Sequence, residues 1–134
     1  MKKIMIILFL IFIKSTFSIA QTIDSDTTIC LNPEQKADFQ GGMGAFGRFL
    51  IKNLKCPKGF IKADVSGKVY VEFIVEKDSS ITNFNVLKSL GFGWDEEVIR
   101  VLKISPKWIP AKDKGKSVRS KFTLPINCLY CSED

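Results

Sequence analysis

Gly67-Lys-Val-Tyr-Val-Glu-Phe-Ile-Val-Glu-Lys-Asp78, followed by Ile81-Thr-Asn83, is the stretch that decides the fold of this chain. Apolar and polar side chains alternate along it, which predicts a strand whose buried face carries Val69, Val71, Phe73 and Val75. Residues 77–80 form a short turn before a second predicted strand over residues 81–89. So short a connection predicts an antiparallel hairpin.

Two amphipathic helices flank this hairpin in the sequence. Before it, apolar residues recur at three- and four-residue spacing over residues 43–54, and Cys56-Pro57 ends the pattern because the residue before proline avoids the α region. After it, Gly93-Trp-Asp-Glu-Glu-Val-Ile-Arg100 has acids at its start and a base near its end, which suits a helix dipole. Trp94 and Trp108 are interpreted as core residues. The residues therefore predict a small α+β domain.

The last predicted strand spans residues 118–126, where apolar and polar residues alternate again. Pro125 has no N–H to donate, so it favours an edge strand or a strand end. Arg119 and Lys121 point outward and are the kind of residue that protects an edge from unwanted pairing. The sequence therefore predicts an exposed edge strand, through which a homodimer is also conceivable.

The N-terminus has the pattern of a secretory signal peptide. Lys2 and Lys3 precede the apolar run Ile4–Ile13, and Ser18-Ile19-Ala20 supplies small residues for cleavage before Gln21. The apolar run is shorter than the roughly 20 residues that span a bilayer. We therefore expect a signal peptide over residues 1–20, a polar lead-in over 21–38, one domain over 39–127 and a cysteine-containing tail over 128–134.

Composition excludes several classes of function. Removing the three lysines of residues 1–20 lowers the formal net charge from +6 to +3, which does not indicate nucleic-acid binding. The chain has no histidine, the commonest general base and metal ligand. Asp95, Glu96 and Glu97 are interpreted as the acidic start of a helix. We expect no enzymatic activity, no catalytic residue, no cofactor and no metal site.

Four cysteines, Cys30, Cys56, Cys128 and Cys131, follow the predicted cleavage site. An even number in an oxidising compartment favours disulfides, although sequence alone does not choose the pairing. In a continuous strand Cys128 and Cys131 would lie roughly 10 Å apart, beyond the ~7 Å that a disulfide bridges. Bridges from Cys30 and Cys56 to the C-terminal pair are favoured. Free thiols stay open, and a four-cysteine zinc site is less favoured.

Taken in order, these segments resemble the C-terminal domain of TonB-type energy transducers, in the form seen in Bacteroidetes-like sequences. Phe39-Gln-Gly-Gly42 is similar to the aromatic-Pro-Gly-Gly entry of that family, with Gln40 in place of proline. Asn53-Leu-Lys-Cys-Pro57 resembles its Asn-Leu-x-Tyr-Pro segment, with Cys56 in place of tyrosine. Asp95-Glu-Glu and Pro106-Lys-Trp108 also fit. The resemblance covers roughly residues 39–127 and implies two helices packed on one face of a three-stranded antiparallel sheet.

The resemblance also implies a binding function. In the family, this periplasmic domain binds a short N-terminal segment of outer-membrane receptors, which adds beside the last strand. A TonB-dependent outer-membrane receptor or a similar envelope protein is therefore the implied partner. The implied partner-binding residues are the docking edge Val118, Arg119, Ser120, Lys121, Phe122 and Thr123, with Lys55, Cys56 and Pro57 near the same site.

Three functions stay open at this point. The first is an exported module, periplasmic or secreted, that binds an extended peptide or receptor segment by β-augmentation and is associated with transmembrane transport. The second is an energy transducer with an uncleaved N-terminus, anchored in the inner membrane and facing the periplasm. A disulfide-stapled secreted structural or inhibitor-like domain is the third. Membrane contact is expected only for the second, and mass spectrometry of the native N-terminus separates it from the first.

Overall fold

The computed structural model describes residues 27–130. The predicted signal peptide, the first part of the lead-in and Cys131 lie outside the described residues. The described chain forms α1 (Gly42–Asn53), α2 (Lys58–Ala63) and α3 (Trp94–Lys103), together with β1 (Ile29–Cys30), β2 (Lys68–Val75), β3 (Ile81–Lys88), β4 (Ala111–Asp113) and β5 (Lys116–Asn127). A single 3-10 turn, Cys128–Tyr130, follows β5.

One mixed sheet organises these elements. β2 lies between β3 and β5 and is antiparallel to both, so the predicted hairpin and the predicted last strand are confirmed. β1 runs parallel to β5 on its outer side, and β4 pairs with the start of β5. The α+β class is confirmed, but a three-stranded, purely antiparallel sheet with two helices is wrong in detail.

The additional elements come from segments that are too short to show periodicity. β1 has two residues inside the predicted lead-in, and β4 has three residues just before the predicted last strand. Positive φ angles at Lys114 (50°) and Gly115 (74°) reverse the chain tightly from β4 into β5. The extra helix α2 has six residues, fewer than two helical turns.

The hydrophobic core lies between one face of the sheet and the helices. The predicted inward face of β2 is confirmed, since none of its four side chains, Val69, Val71, Phe73 and Val75, is exposed. β5 adds Leu124 and Ile126 to the same core, and α3 adds Trp94 and Val98. None of the helices formed by residues 27–130 combines the length and the apolar character needed to cross a membrane.

Trp108 is the centre of an aromatic cluster. Its ring centroid lies 5.2–5.6 Å from the rings of four phenylalanines: Phe39, Phe46, Phe73 and Phe122. Its indole N–H donates to Ser105 Oγ at 3.1 Å. These rings belong to the entry segment, α1, β2 and β5, so one side chain ties four parts of the domain together. The prediction that Trp94 and Trp108 are core residues is confirmed.

Candidate functional site

The outer side of β5, which faces away from β2, is divided into two parts. On this side β1 pairs with Arg119 and Ser120, whereas β4 pairs with residues 116–118 at the start of the strand. From Lys121 onward, no strand within residues 27–130 pairs with this side. The predicted docking edge is therefore covered by β1 at Arg119 and Ser120, and the backbone of Val118 is already paired with β4. The expectation that the whole strand is an exposed edge is corrected for these three residues.

Pro125 indicates which backbone groups of β5 face outward. Pro125 pairs with Tyr70 of β2 but has no N–H, so its nitrogen is expected to face away from β2. Backbone groups of an antiparallel strand alternate in direction from one residue to the next. The N–H and C=O groups of Lys121 and Thr123 therefore also face outward, whereas those of Phe122 bond to β2. Lys121 and Thr123 are both exposed.

A cleft of about 370 Å³ lies beside this uncovered part of β5. Leu31, Pro33 and Lys36 of the lead-in are on one side, and Ser120 and Phe122 are among the β5 residues on the other. Ser120 is only 3 % exposed, and its hydroxyl has no hydrogen-bond partner among the described residues. The lining residues include two lysines and no carboxylate, so the electrostatic field of the cleft favours a neutral or acidic segment.

Arg119 connects the lead-in to the sheet. Its guanidinium donates to the carbonyl oxygen of Thr27 at 2.7 Å and to both carboxylate oxygens of Glu76, at 2.6 and 3.0 Å. The Arg119 hydrogen bond, helped by one from Thr82, holds the pKa of Glu76 below its ordinary value, although burial acts in the opposite direction. Arg119 was predicted to point outward and to protect the edge from unwanted pairing. Its side chain instead bonds to Thr27 of the lead-in and to Glu76 just after β2.

This ion pair predicts a specific loss of stability in acid. A carboxyl group with a lowered pKa contributes its full stabilisation above its unfolded-state pKa, and that contribution is lost as the pH falls through the folded-state pKa. The unfolded value is near 4.5. Urea unfolding between about pH 6 and about pH 3 should therefore show a smaller decline for Glu76→Gln than for the wild type. Equal declines would contradict the assigned role of this pair.

The opposite edge of the sheet is β3, which pairs with β2 alone among the described strands. Its register shifts twice, between Tyr70 and Val71 and again between Glu72 and Ile74. Asn83, at the second irregularity, has a positive φ of 54°. Such bulges twist an edge and hinder the pairing of another strand. The more regular edge available for strand addition is therefore that of β5.

The segment Lys55, Cys56 and Pro57 is positioned by the start of α3. The backbone N–H of Lys55 donates to Glu97 Oε1 at 2.8 Å. A Cβ added at Gly93 would lie 3.2 Å from Pro57 Cβ, and Gly93 has a φ of 84°, so a larger residue there would be strained. These contacts anchor the segment at α3 rather than at the residues of the predicted docking edge. Its proximity to that edge stays a prediction.

Two of the four cysteines do not follow the favoured pairing. Cys30 and Cys128 carry free thiols, so the expected bridges that involve these two residues are not present. Cys128 is buried, with its sulfur 3.9 Å from the carbonyl oxygen of Val65. Cys56 is disulfide-bonded. Cys131, the other predicted disulfide partner at the C-terminus, lies outside the described residues.

The fold and the edge define a class of protein: an α+β domain in which the last strand of the sheet is partly uncovered. The family of the C-terminal domain of the Gram-negative bacterial TonB protein matches residues 52–127, more than half of the 134 residues. The chain belongs to this family, which confirms the predicted resemblance. No curated protein matches the chain.

Membership of this family indicates the general role of the chain, its kind of partner and its location. It gives the chain a TonB-like role in transport, and it gives outer-membrane receptors as the general kind of partner. The family consists of interaction domains of energy transducers and not of enzymes, and it belongs to the bacterial cell envelope. The matched residues include α2, β2, β3, α3 and β5, but they begin after β1 and after most of α1.

Proposed function

We propose that this chain is an exported receptor-binding module, which takes up an extended segment of an outer-membrane receptor or a similar envelope protein as an additional strand on the outer side of β5. The observation that carries this proposal is the uncovered stretch that begins at Lys121. Outward-facing backbone groups at Lys121 and Thr123 provide a repeating set of donors and acceptors. Strand addition uses such groups for affinity.

The cleft beside β5 adds selectivity to this proposal. In strand addition, alternate side chains of the bound segment enter pockets next to the edge. The cleft between Pro33 and Phe122 has room for one such side chain, and Lys36 gives it a positive rim, whereas the charge of Lys121 is paired with Glu72. A segment that alternates apolar and polar residues, with an acidic residue among them, fits this surface.

A proline at Lys121 tests the proposal directly. Lys121→Pro removes one outward N–H and places a ring in the path of the added strand, so affinity for receptor N-terminal peptides should fall by at least about tenfold. The matched control is Lys121→Ala, which removes the ion pair with Glu72 at 3.3 Å but keeps the N–H. Isothermal titration calorimetry on both variants gives the affinities. Unchanged affinity of the proline variant would exclude this edge as the docking site.

We also propose that residues 1–20 direct export and are then removed, so that the domain acts in the periplasm or outside the cell. The positive start, the apolar run and the small residues before Gln21 support this. The disulfide-bonded Cys56 is consistent with an oxidising compartment. A native chain that begins at Gln21, read by mass spectrometry, is the result that this proposal requires.

A further inference from the structure

We infer that the chain carries its own competitor for the docking edge: residues 27–31 occupy the part of β5 next to the uncovered stretch, and a receptor strand gains that part by displacing them. This inference rests on the proposed function and adds a mechanism of control to it. Its basis is the position of β1, which pairs with Arg119 and Ser120 at the point where the uncovered stretch begins.

Apart from the hydrogen bond of the Arg119 guanidinium to the Thr27 carbonyl, the hold of β1 on β5 is weak. Only two residues pair, Ile29 with Arg119 and Cys30 with Ser120, and the pairing is parallel, which is slightly less stable per residue than antiparallel pairing. Both β1 residues are half-buried, and neither belongs to the hydrophobic core. Leu31, the next residue, is 78 % exposed. The segment therefore lacks a buried apolar side chain that would fix it in place.

The residues that follow β1 are held much more firmly. Gln35 and Lys112 exchange two backbone hydrogen bonds, of 2.9 and 2.8 Å, and Asp38 and Ile109 exchange two more, of 3.1 and 2.8 Å. Phe39 is buried in the aromatic cluster. Release of β1 is therefore expected to stop before Gln35. A short segment tethered in this way competes at a high effective concentration, even though its own contacts are few.

Displacement of β1 would lengthen the edge that a partner can use. Backbone direction alternates along β5, so the groups of Arg119 face outward like those of Lys121 and Thr123. Removing β1 adds Arg119 to this set of outward-facing residues. It also breaks the hydrogen bond from the Arg119 guanidinium to the Thr27 carbonyl. The ion pair between Arg119 and Glu76 does not involve the displaced residues and remains. The competitor therefore limits both the length and the affinity of the bound strand.

Cys30 allows the displacement of β1 to be measured in the unmodified chain. Its thiol is free and lies in β1, while the thiol of Cys128 is free but buried and provides an internal control. Maleimide labelling without reductant, with each site resolved by mass spectrometry, reports the accessibility of both. A saturating receptor N-terminal peptide should accelerate labelling of Cys30 by about tenfold if release of a two-residue pairing exposes it, and labelling of Cys128 should not change. If the peptide binds and the rate at Cys30 is unchanged or slower, the inference is wrong.

A variant that lacks the Cys30 thiol tests the competition through peptide affinity instead of labelling. Ile29→Pro together with Cys30→Pro removes the one N–H of these two residues that faces β5, since backbone direction alternates along β1, and should raise peptide affinity by about fivefold, the effect of roughly one net hydrogen bond. Thr28→Ala is the matched control, because it changes an exposed side chain next to the paired residues and keeps every N–H of β1. Equal peptide affinity of the proline variant and the wild type overturns the inference but leaves the proposed function intact. If neither chain binds the peptide, both fail.

Discussion

Replacing Trp108 with alanine should lower the free energy of unfolding by about 3–5 kcal/mol, the range typical of a buried tryptophan or phenylalanine. Trp108 is 1 % exposed, and its four phenylalanine neighbours come from separate parts of the chain. Because Phe73 and Phe122 lie on paired strands of the sheet, the surroundings have little freedom to collapse into the cavity. The large end of the range is therefore expected.

The measurement is urea unfolding followed by far-UV circular dichroism. Ser105→Ala is the matched control, because it removes only the oxygen that accepts the indole N–H, a loss of about 1–2 kcal/mol. Small domains are stable by only about 5–15 kcal/mol, so the alanine variant at Trp108 is expected to be marginal at room temperature. A loss for Trp108→Ala no larger than that for Ser105→Ala would show that packing around this ring contributes little.

The sequence predicts the elements with strong periodicity. Alternation over β2 and β5 is long enough to define both the strands and the faces that are buried, and the stripes of α1 and α3 define the helices that cover them. β1 and β4 could not be predicted in this way, since two or three residues are too few to show a hydrophobic periodicity. Their position depends on which distant strand lies alongside, which is a property of the folded chain and not of the local sequence.

The candidate site was predictable only where it depends on a local property of the sequence. Pro125 marks the outward side of β5 from sequence alone, because a missing N–H is a local property. The roles of Arg119 and Ser120 were not predictable, since Arg119 binds Glu76, 43 positions away, and Ser120 pairs with Cys30 of the lead-in. The one local hint of the irregular β3 edge is Asn83, because asparagine tolerates a positive φ more readily than most residues.

Proline substitutions at two adjacent positions of β5 should lower the stability of the domain by very different amounts. Leu124 is buried and pairs with Val71, and by alternation its N–H bonds to β2. Leu124→Pro should therefore destabilise the domain by about 3 kcal/mol beyond the loss caused by Leu124→Ala, since a ladder bond is broken and a buried carbonyl loses its donor. The N–H of Thr123 faces outward, so Thr123→Pro should differ from Thr123→Ala by about 1 kcal/mol or less.

Thermal unfolding of the four variants gives this comparison without any partner. The alanine substitutions remove the effect of each side chain, so the difference within each pair isolates the backbone. A large penalty at Leu124 and a small one at Thr123 require that the donors of residues 121 and 123 face away from β2, as strand addition needs. Equal penalties at the two positions, or a larger one at Thr123, would mean that Thr123 already donates within the sheet. The outer side of β5 would then lack the donors on which the proposed docking edge depends.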